Sequence, residues 1–67
     1  MEEKYKVYFS MQGRKCFPAK LLNVRQALRI VNDAEMHEYS YEIYEYFNSR
    51  NIGKITKEEL EIKIAEI

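Results

Sequence analysis

Apolar and polar residues alternate along the first stretch of the chain: Tyr5, Val7, Phe9 and Met11 fall on one side, Lys4, Lys6, Tyr8 and Ser10 on the other. A period of two over β-prone residues predicts a half-buried strand over 4–11 with the first set inward. Gln12-Gly13-Arg14 then reads as a turn. A three-residue loop there sets Phe9 opposite Phe17 and Val7 opposite Ala19. Pro18 has no amide donor for a ladder, so the returning strand is expected to be short and at an edge.

Further on, the period changes and three capping boxes mark helix starts, each a side-chain oxygen followed three residues later by Glu or Gln: Asn23 with Gln26, Asn32 with Glu35, and Thr56 with Glu59. Each is bracketed by apolar residues at staple spacing, Leu22 with Ala27, Val31 with Met36, and Ile55 with Leu60. A first helix over 24–31 buries Val24, Ala27, Leu28 and Val31. The apolar stripe restarts out of phase at Met36, Tyr39, Ile43 and Tyr46/Phe47, which predicts a bend at Asn32-Asp33 and a second helix beyond it. The tyrosine-rich stretch 39–46 also suits a strand. A last helix over 57–66 buries Leu60, Ile64 and Ile67 and leaves Ile62 at its flank. The fold class expected is α+β: one small domain over 1–67, an N-terminal β-hairpin packed against two to three short helices.

Composition narrows the function classes. At 67 residues the chain buries a modest core, and with 46% apolar residues and nine aromatics among them it has the material for one. Cys16 is the sole cysteine and His37 the sole histidine, so neither an intramolecular disulfide nor a structural zinc site is expected. The charged start lacks a signal-peptide pattern and no run approaches a membrane span, so a cytoplasmic, non-membrane protein is expected. Net charge is zero but uneven: residues 1–31 carry seven Lys/Arg against two Glu, and residues 32–67 four against nine Asp/Glu, or +5 and −5. A dipolar molecule follows if the two halves occupy different faces.

Residues Phe47 to Leu60, FNSRNIGKITKEEL, resemble a calcium-binding EF-hand loop in length and framework. Gly53 matches the sixth-position glycine, Ile55 the eighth-position aliphatic, Glu59 the twelfth-position glutamate, and Phe47 and Leu60 the flanking apolar residues. The resemblance implies a helix-loop-helix corner. Calcium needs six to eight oxygen ligands, and the first, third and fifth positions hold Asn48, Arg50 and Ile52. The expectation is therefore an EF-hand-like but ligand-poor turn with no metal and no cofactor, in which Gly53 takes φ > 0 and Thr56 caps the next helix.

Two charged clusters are candidate binding sites. Glu35, Glu38, Glu42 and Glu45 recur at helical spacing opposite the apolar stripe, with Tyr41 and Tyr44 at the margins; such a face suits a basic groove on a larger protein, and tyrosine is a hot-spot residue. Against it stands the reading of a merely solvated helix face. The second cluster is basic: Arg14 and Lys15 at the hairpin tip, Lys20, and Arg25 with Arg29 on the first helix, an arrangement that suits phosphates. No Ser/His/Asp set, phosphate loop or dinucleotide fingerprint occurs, so no enzyme activity is expected. Cys16 and His37 read as a small buried hydrophobe and a surface residue. The expected function is that of a small protein-binding regulator or inhibitor of a larger protein, with nucleic-acid-handling proteins as candidate targets, as in accessory proteins of phages and mobile elements. The alternatives are a nucleic-acid-binding module using the basic cluster, and a structural homodimer.

Overall fold

A computed structural model of the chain describes residues 2–16 and 20–66. Its elements run β1 (Tyr5–Met11), β2 (Arg14–Cys16), α1 (Val24–Met36), β3 (Ser40–Phe47), β4 (Arg50–Ile55) and α2 (Lys57–Ala65). The strands form one four-stranded antiparallel sheet in the order β2-β1-β3-β4. Two hairpins thus lie side by side, each followed by a helix, and their inner strands β1 and β3 are zipped from Tyr5↔Glu45 to Ser10↔Ser40. The architecture is α+β, as the mixed periodicity implies.

Both hairpins close through two-residue loops with left-handed backbone at each central position: Gln12 (φ 51°) and Gly13 (φ 79°) in the first, Asn48 (φ 50°) and Ser49 (φ 65°) in the second. Such loops match the right-handed twist of the strands they join. The first is one residue shorter than the three-residue turn expected from the sequence, so Met11 pairs with Arg14 and Phe9 with Cys16. The expected pairing of Phe9 with Phe17 is replaced; Phe17, Pro18 and Ala19 themselves lie outside the described residues. β2 is short and at the sheet edge, as expected. The chain then returns beside β1, where Leu22 and Tyr5 exchange backbone hydrogen bonds of 2.7 and 2.9 Å.

Of the three capping boxes, two start helices. Asn23 Oδ1 accepts from the Gln26 amide (2.8 Å) while Gln26 Oε1 accepts from the Asn23 amide (3.0 Å), and Thr56 Oγ1 accepts from the Glu59 amide (3.2 Å). The third, Asn32 with Glu35, lies inside α1, which runs unbroken through the expected bend because the inward stripe continues as Val24, Ala27, Val31 and Ala34. Met36, read as the start of a new stripe, is 78% exposed. α1 stops in a Schellman arrangement: Tyr39 N–H donates to Ala34 O (2.8 Å) and Glu38 N–H to Glu35 O (3.1 Å), with Glu38 at φ 59°.

The expected second helix does not form. Residues 40–47 are β3, where Tyr, Ile and Phe follow their strand preference once two neighbours supply a ladder. The corner that resembles an EF-hand loop is likewise a β-hairpin: Asn48-Ser49 is its turn and Arg50–Ile55 its returning strand. Gly53 does take positive φ, 140°, beside a bulge in which Glu45 pairs with Gly53 and Tyr46 with Asn51, leaving Ile52 as the additional residue. Asn51 Oδ1 accepts from the Gly53 amide at 3.0 Å and fixes that kink.

The helices cover one face of the sheet. Tyr5, Val7 and Ile43 point into a core with Leu22, Val24, Ala27, Val31 and Leu60, and Leu28, Ile30, Tyr41, Ile55 and Ile64 pack around it. Ile62 is 58% exposed on α2, and Ile67 lies outside the described residues. Glu35, in the last turn of α1, takes a 2.6 Å hydrogen bond from Lys57 at the start of α2 and a 2.8 Å one from the Tyr41 hydroxyl, so one carboxylate ties both helices to β3. Among the described residues, no helix is long and apolar enough to cross a membrane.

Candidate functional site

Because side chains alternate along a strand, the residues between the core positions of β1 and β3 make up the second face of the sheet, opposite the one on which α1 and α2 pack. From β1 these are Lys6, Tyr8 and Ser10; from β3, Glu42, Tyr44 and Tyr46; from the edge strands, Lys15 and Lys54. The pairing puts Tyr44 directly between Lys6 and Lys54 in one row across three strands. In the neighbouring row Tyr8 stands opposite Glu42.

The three tyrosines are half-buried and in contact. Tyr8 and Tyr44 meet edge to face with ring centroids 5.4 Å apart at 76°, a favoured aromatic geometry. A hydrogen bond between the Tyr8 and Tyr46 side chains, with some burial, raises the Tyr8 pKa. Lys6 Nζ lies 5.0 Å from the Tyr46 ring centroid, within cation–π range. Lys20, Leu21 and Ser49 join Lys6 and Tyr46 around a shallow depression at that end.

Glu42 is the carboxylate within this face. It accepts a 2.6 Å hydrogen bond from the Tyr44 hydroxyl, and Lys15 and Lys54 stand 3.4 and 3.8 Å from its oxygens. The Tyr44 hydrogen bond first, then the Lys15 charge, holds the Glu42 carboxyl below the usual range; the same bond raises Tyr44. Lys6, Lys15, Lys20 and Lys54 thus surround the three rings, with Glu42 among them and Glu2 and Glu3 beside Tyr46 at one end. Around α2, Glu58, Glu59, Glu61 and the C-cap Glu66 outnumber Lys57 and Lys63, whereas α1 is balanced, with Arg25 and Arg29 against Asp33 and Glu35. The basic and acidic halves of the chain do not map onto two faces: Lys54 of the acidic half stands on the open face, and Arg25 and Arg29 of the basic half lie on α1.

The acidic face expected from the sequence is dispersed. Glu35 is occupied by Lys57 and Tyr41 at the helix junction, and Glu38 is exposed in the turn after α1. Tyr41 and Glu45 point to the helical side of the sheet, Glu45 between Lys4 (3.4 Å) and Lys63 (3.7 Å), while Glu42 and Tyr44 point to the open side. Helical spacing cannot group residues that sit on a strand. The basic cluster also divides: Lys15 and Lys20 reach the open face, Arg14 is exposed at the hairpin, and Arg25 and Arg29 are exposed on α1. The residues the sequence reading did not select are Lys6, Tyr8, Tyr46 and Lys54. A signal for the first two was the outward half of the alternation in 4–11.

Cys16 is half-buried in β2, and His37 caps α1, stacked on Tyr39 at 5.4 Å and 3.7 Å from the Asp33 carboxylate. Among the described residues, no group of three or more His, Cys, Asp and Glu is placed to hold a metal ion. Comparison with protein-family models, with curated proteins and with solved structures gives no significant match.

Proposed function

We propose that the chain is a non-catalytic binding module that engages a negatively charged macromolecule through the open face of its sheet. The observation that carries this reading is the row Lys6–Tyr44–Lys54, extended by Tyr8, Tyr46, Lys15 and Lys20, in a protein whose total charge is zero. Four of the seven lysines of the chain, Lys6, Lys15, Lys20 and Lys54, reach this one face and its edges, and a local cationic surface attracts anions even where total charge is zero. Tyrosine adds a second argument, since rings held by neighbours give contact area at small entropic cost and dominate binding hot spots. A regulatory role towards a larger protein would act through this same surface, with the partner supplying the acids.

Retention on immobilised heparin, a generic polyanion, tests the reading. The protein is expected to bind at about 50 mM salt and to elute as salt rises, because screening and counterion recovery weaken such contacts. Lys6→Glu with Lys54→Glu should abolish retention. Arg25→Glu with Arg29→Glu on α1 should leave it intact. Glu42→Gln should strengthen it by releasing Lys15 and Lys54 from their internal counter-charge. Retention that depends on the arginines and ignores the lysines would overturn the proposal.

A further inference from the structure

We infer that the ligand of the open face is single-stranded nucleic acid, its bases stacked on Tyr8, Tyr44 and Tyr46 and its phosphates held by Lys6, Lys15 and Lys54. This deepens the reading above and rests on it. The argument is one of placement. The rings occupy the two central strands, and lysines stand on both edge strands and between the rings, at Lys15, Lys54 and Lys6. A single strand presents flat bases joined through regularly spaced phosphates, and surfaces that bind it combine aromatic platforms with a cationic track.

Duplex nucleic acid would not use this arrangement. Its base faces are hidden in its own stack, so three rings gain nothing from it and only the charge term remains. The face also offers no helix for a major groove, because α1 and α2 pack on the opposite side of the sheet. An acidic protein surface would satisfy the lysines but supplies carboxylates where the rings call for flat partners.

The rings are oriented before any ligand arrives. Tyr44 is held by its hydroxyl on Glu42 at 2.6 Å and by the edge of Tyr8, and Tyr8 is held in turn by Tyr46. Less conformational freedom is then lost on stacking. Lys6 already rests over the Tyr46 ring; a base taking that place would release the ammonium to a phosphate.

Fluorescence anisotropy with a labelled 15-nucleotide oligonucleotide, the matching duplex, and polyglutamate as competitor tests this, with circular dichroism checking the fold of each variant. Stacking contributes roughly five-fold or more per base, so with more than one base stacked the single strand is expected to bind at least about ten-fold tighter than the duplex. Tyr44→Ala with Tyr46→Ala should erase that preference, Tyr44→Phe with Tyr46→Phe should keep most of it, and tyrosine fluorescence should be quenched on binding. Equal affinity for duplex and single strand, competition by polyglutamate at equal charge, or indifference to the alanine pair would overturn the inference while leaving the polyanion reading standing. Failure to bind either oligonucleotide or heparin, with the fold intact, would overturn both.

Discussion

Tyr44 donates its hydroxyl to Glu42 across a 2.6 Å hydrogen bond on the same strand, two residues apart and on the same face of the sheet. The bond ties the central ring of the open face to the one acid within it, and it is the largest cause of the low Glu42 pKa. Tyr44→Phe removes the donor but keeps the ring. In a carboxyl-detected NMR titration, Glu42 should then titrate closer to an ordinary glutamate, while Glu35, held by other partners, should not move. An unchanged Glu42 would mean that Lys15 and Lys54 alone set its charge.

Ile43 on β3 is 1% exposed in the core cluster, whereas Ile62 on α2 is 58% exposed. Truncating a buried aliphatic removes contacts and leaves a cavity, at about 2–5 kcal/mol. Ile43→Ala is therefore expected to unfold at markedly lower denaturant concentration, and Ile62→Ala to stay within about 0.5 kcal/mol of the parent. Similar losses at both sites would contradict the placement of Ile43 in the core.

Asn23 and Asn32 look alike in sequence, since each opens a capping box, but only Asn23 caps a helix. Replacing a true N-cap by alanine costs about 1 kcal/mol. At an exposed mid-helix position the same change improves helix propensity by a few tenths of a kcal/mol. Asn23→Ala should thus lower the melting temperature, and Asn32→Ala should leave it unchanged or raise it slightly. A drop with Asn32→Ala would restore the bend that α1 does not show.

The contrast between those two asparagines shows how far local rules reach. β1 with Tyr5 and Val7 inward, the short edge strand, both true caps and the last helix were legible, because each depends on residues within a few positions of one another; Met11, expected inward, is exposed because the core ends before that end of the hairpin. What escaped was the switch from α1 to β3. No glycine or asparagine marks the stop at Glu38, which takes φ 59°, and Ala34, whose small side chain continues the buried stripe, carries a weak hydrophobic signal. Residues 40–47 become strand because β1 and β4 flank them, a long-range fact no window reports. The acidic face expected from the sequence is dispersed for the same reason: glutamates at helical spacing fall on both faces once the segment is extended. Of the open face proposed as the site, Lys6 and Tyr8 were visible as the outward residues of 4–11, but Tyr44, Tyr46 and Lys54 join them only through the sheet pairing.

Acid should loosen the junction between α1 and α2. Glu35 has a lowered pKa because it accepts hydrogen bonds from Lys57 first and Tyr41 second, and Lys57 is raised by the same bond. A carboxyl whose folded pKa is depressed contributes stability that is complete above the ordinary glutamate range and lost as pH falls through the folded pKa. The raised Lys57 contributes below the ordinary lysine range and fades as pH rises through its folded value. Thermal melts from neutral pH down to below the ordinary glutamate range should show the parent losing more stability than Glu35→Gln, whose curve should be flatter. Parallel curves would remove the Glu35–Lys57 bridge from the forces that hold the helices.

The most direct measurement is the map of amide and tyrosine-ring chemical-shift changes as unlabelled 15-nucleotide single-stranded DNA is added to the isotope-labelled full chain. The changes are expected to concentrate at Lys6, Tyr8, Lys15, Glu42, Tyr44, Tyr46 and Lys54, with the exposed positions of α1 and α2 silent. Shifts centred instead on Arg25, Arg29 and the outer surface of α1, with the three rings unaffected, would contradict the assignment of the open sheet face as the working surface of this protein.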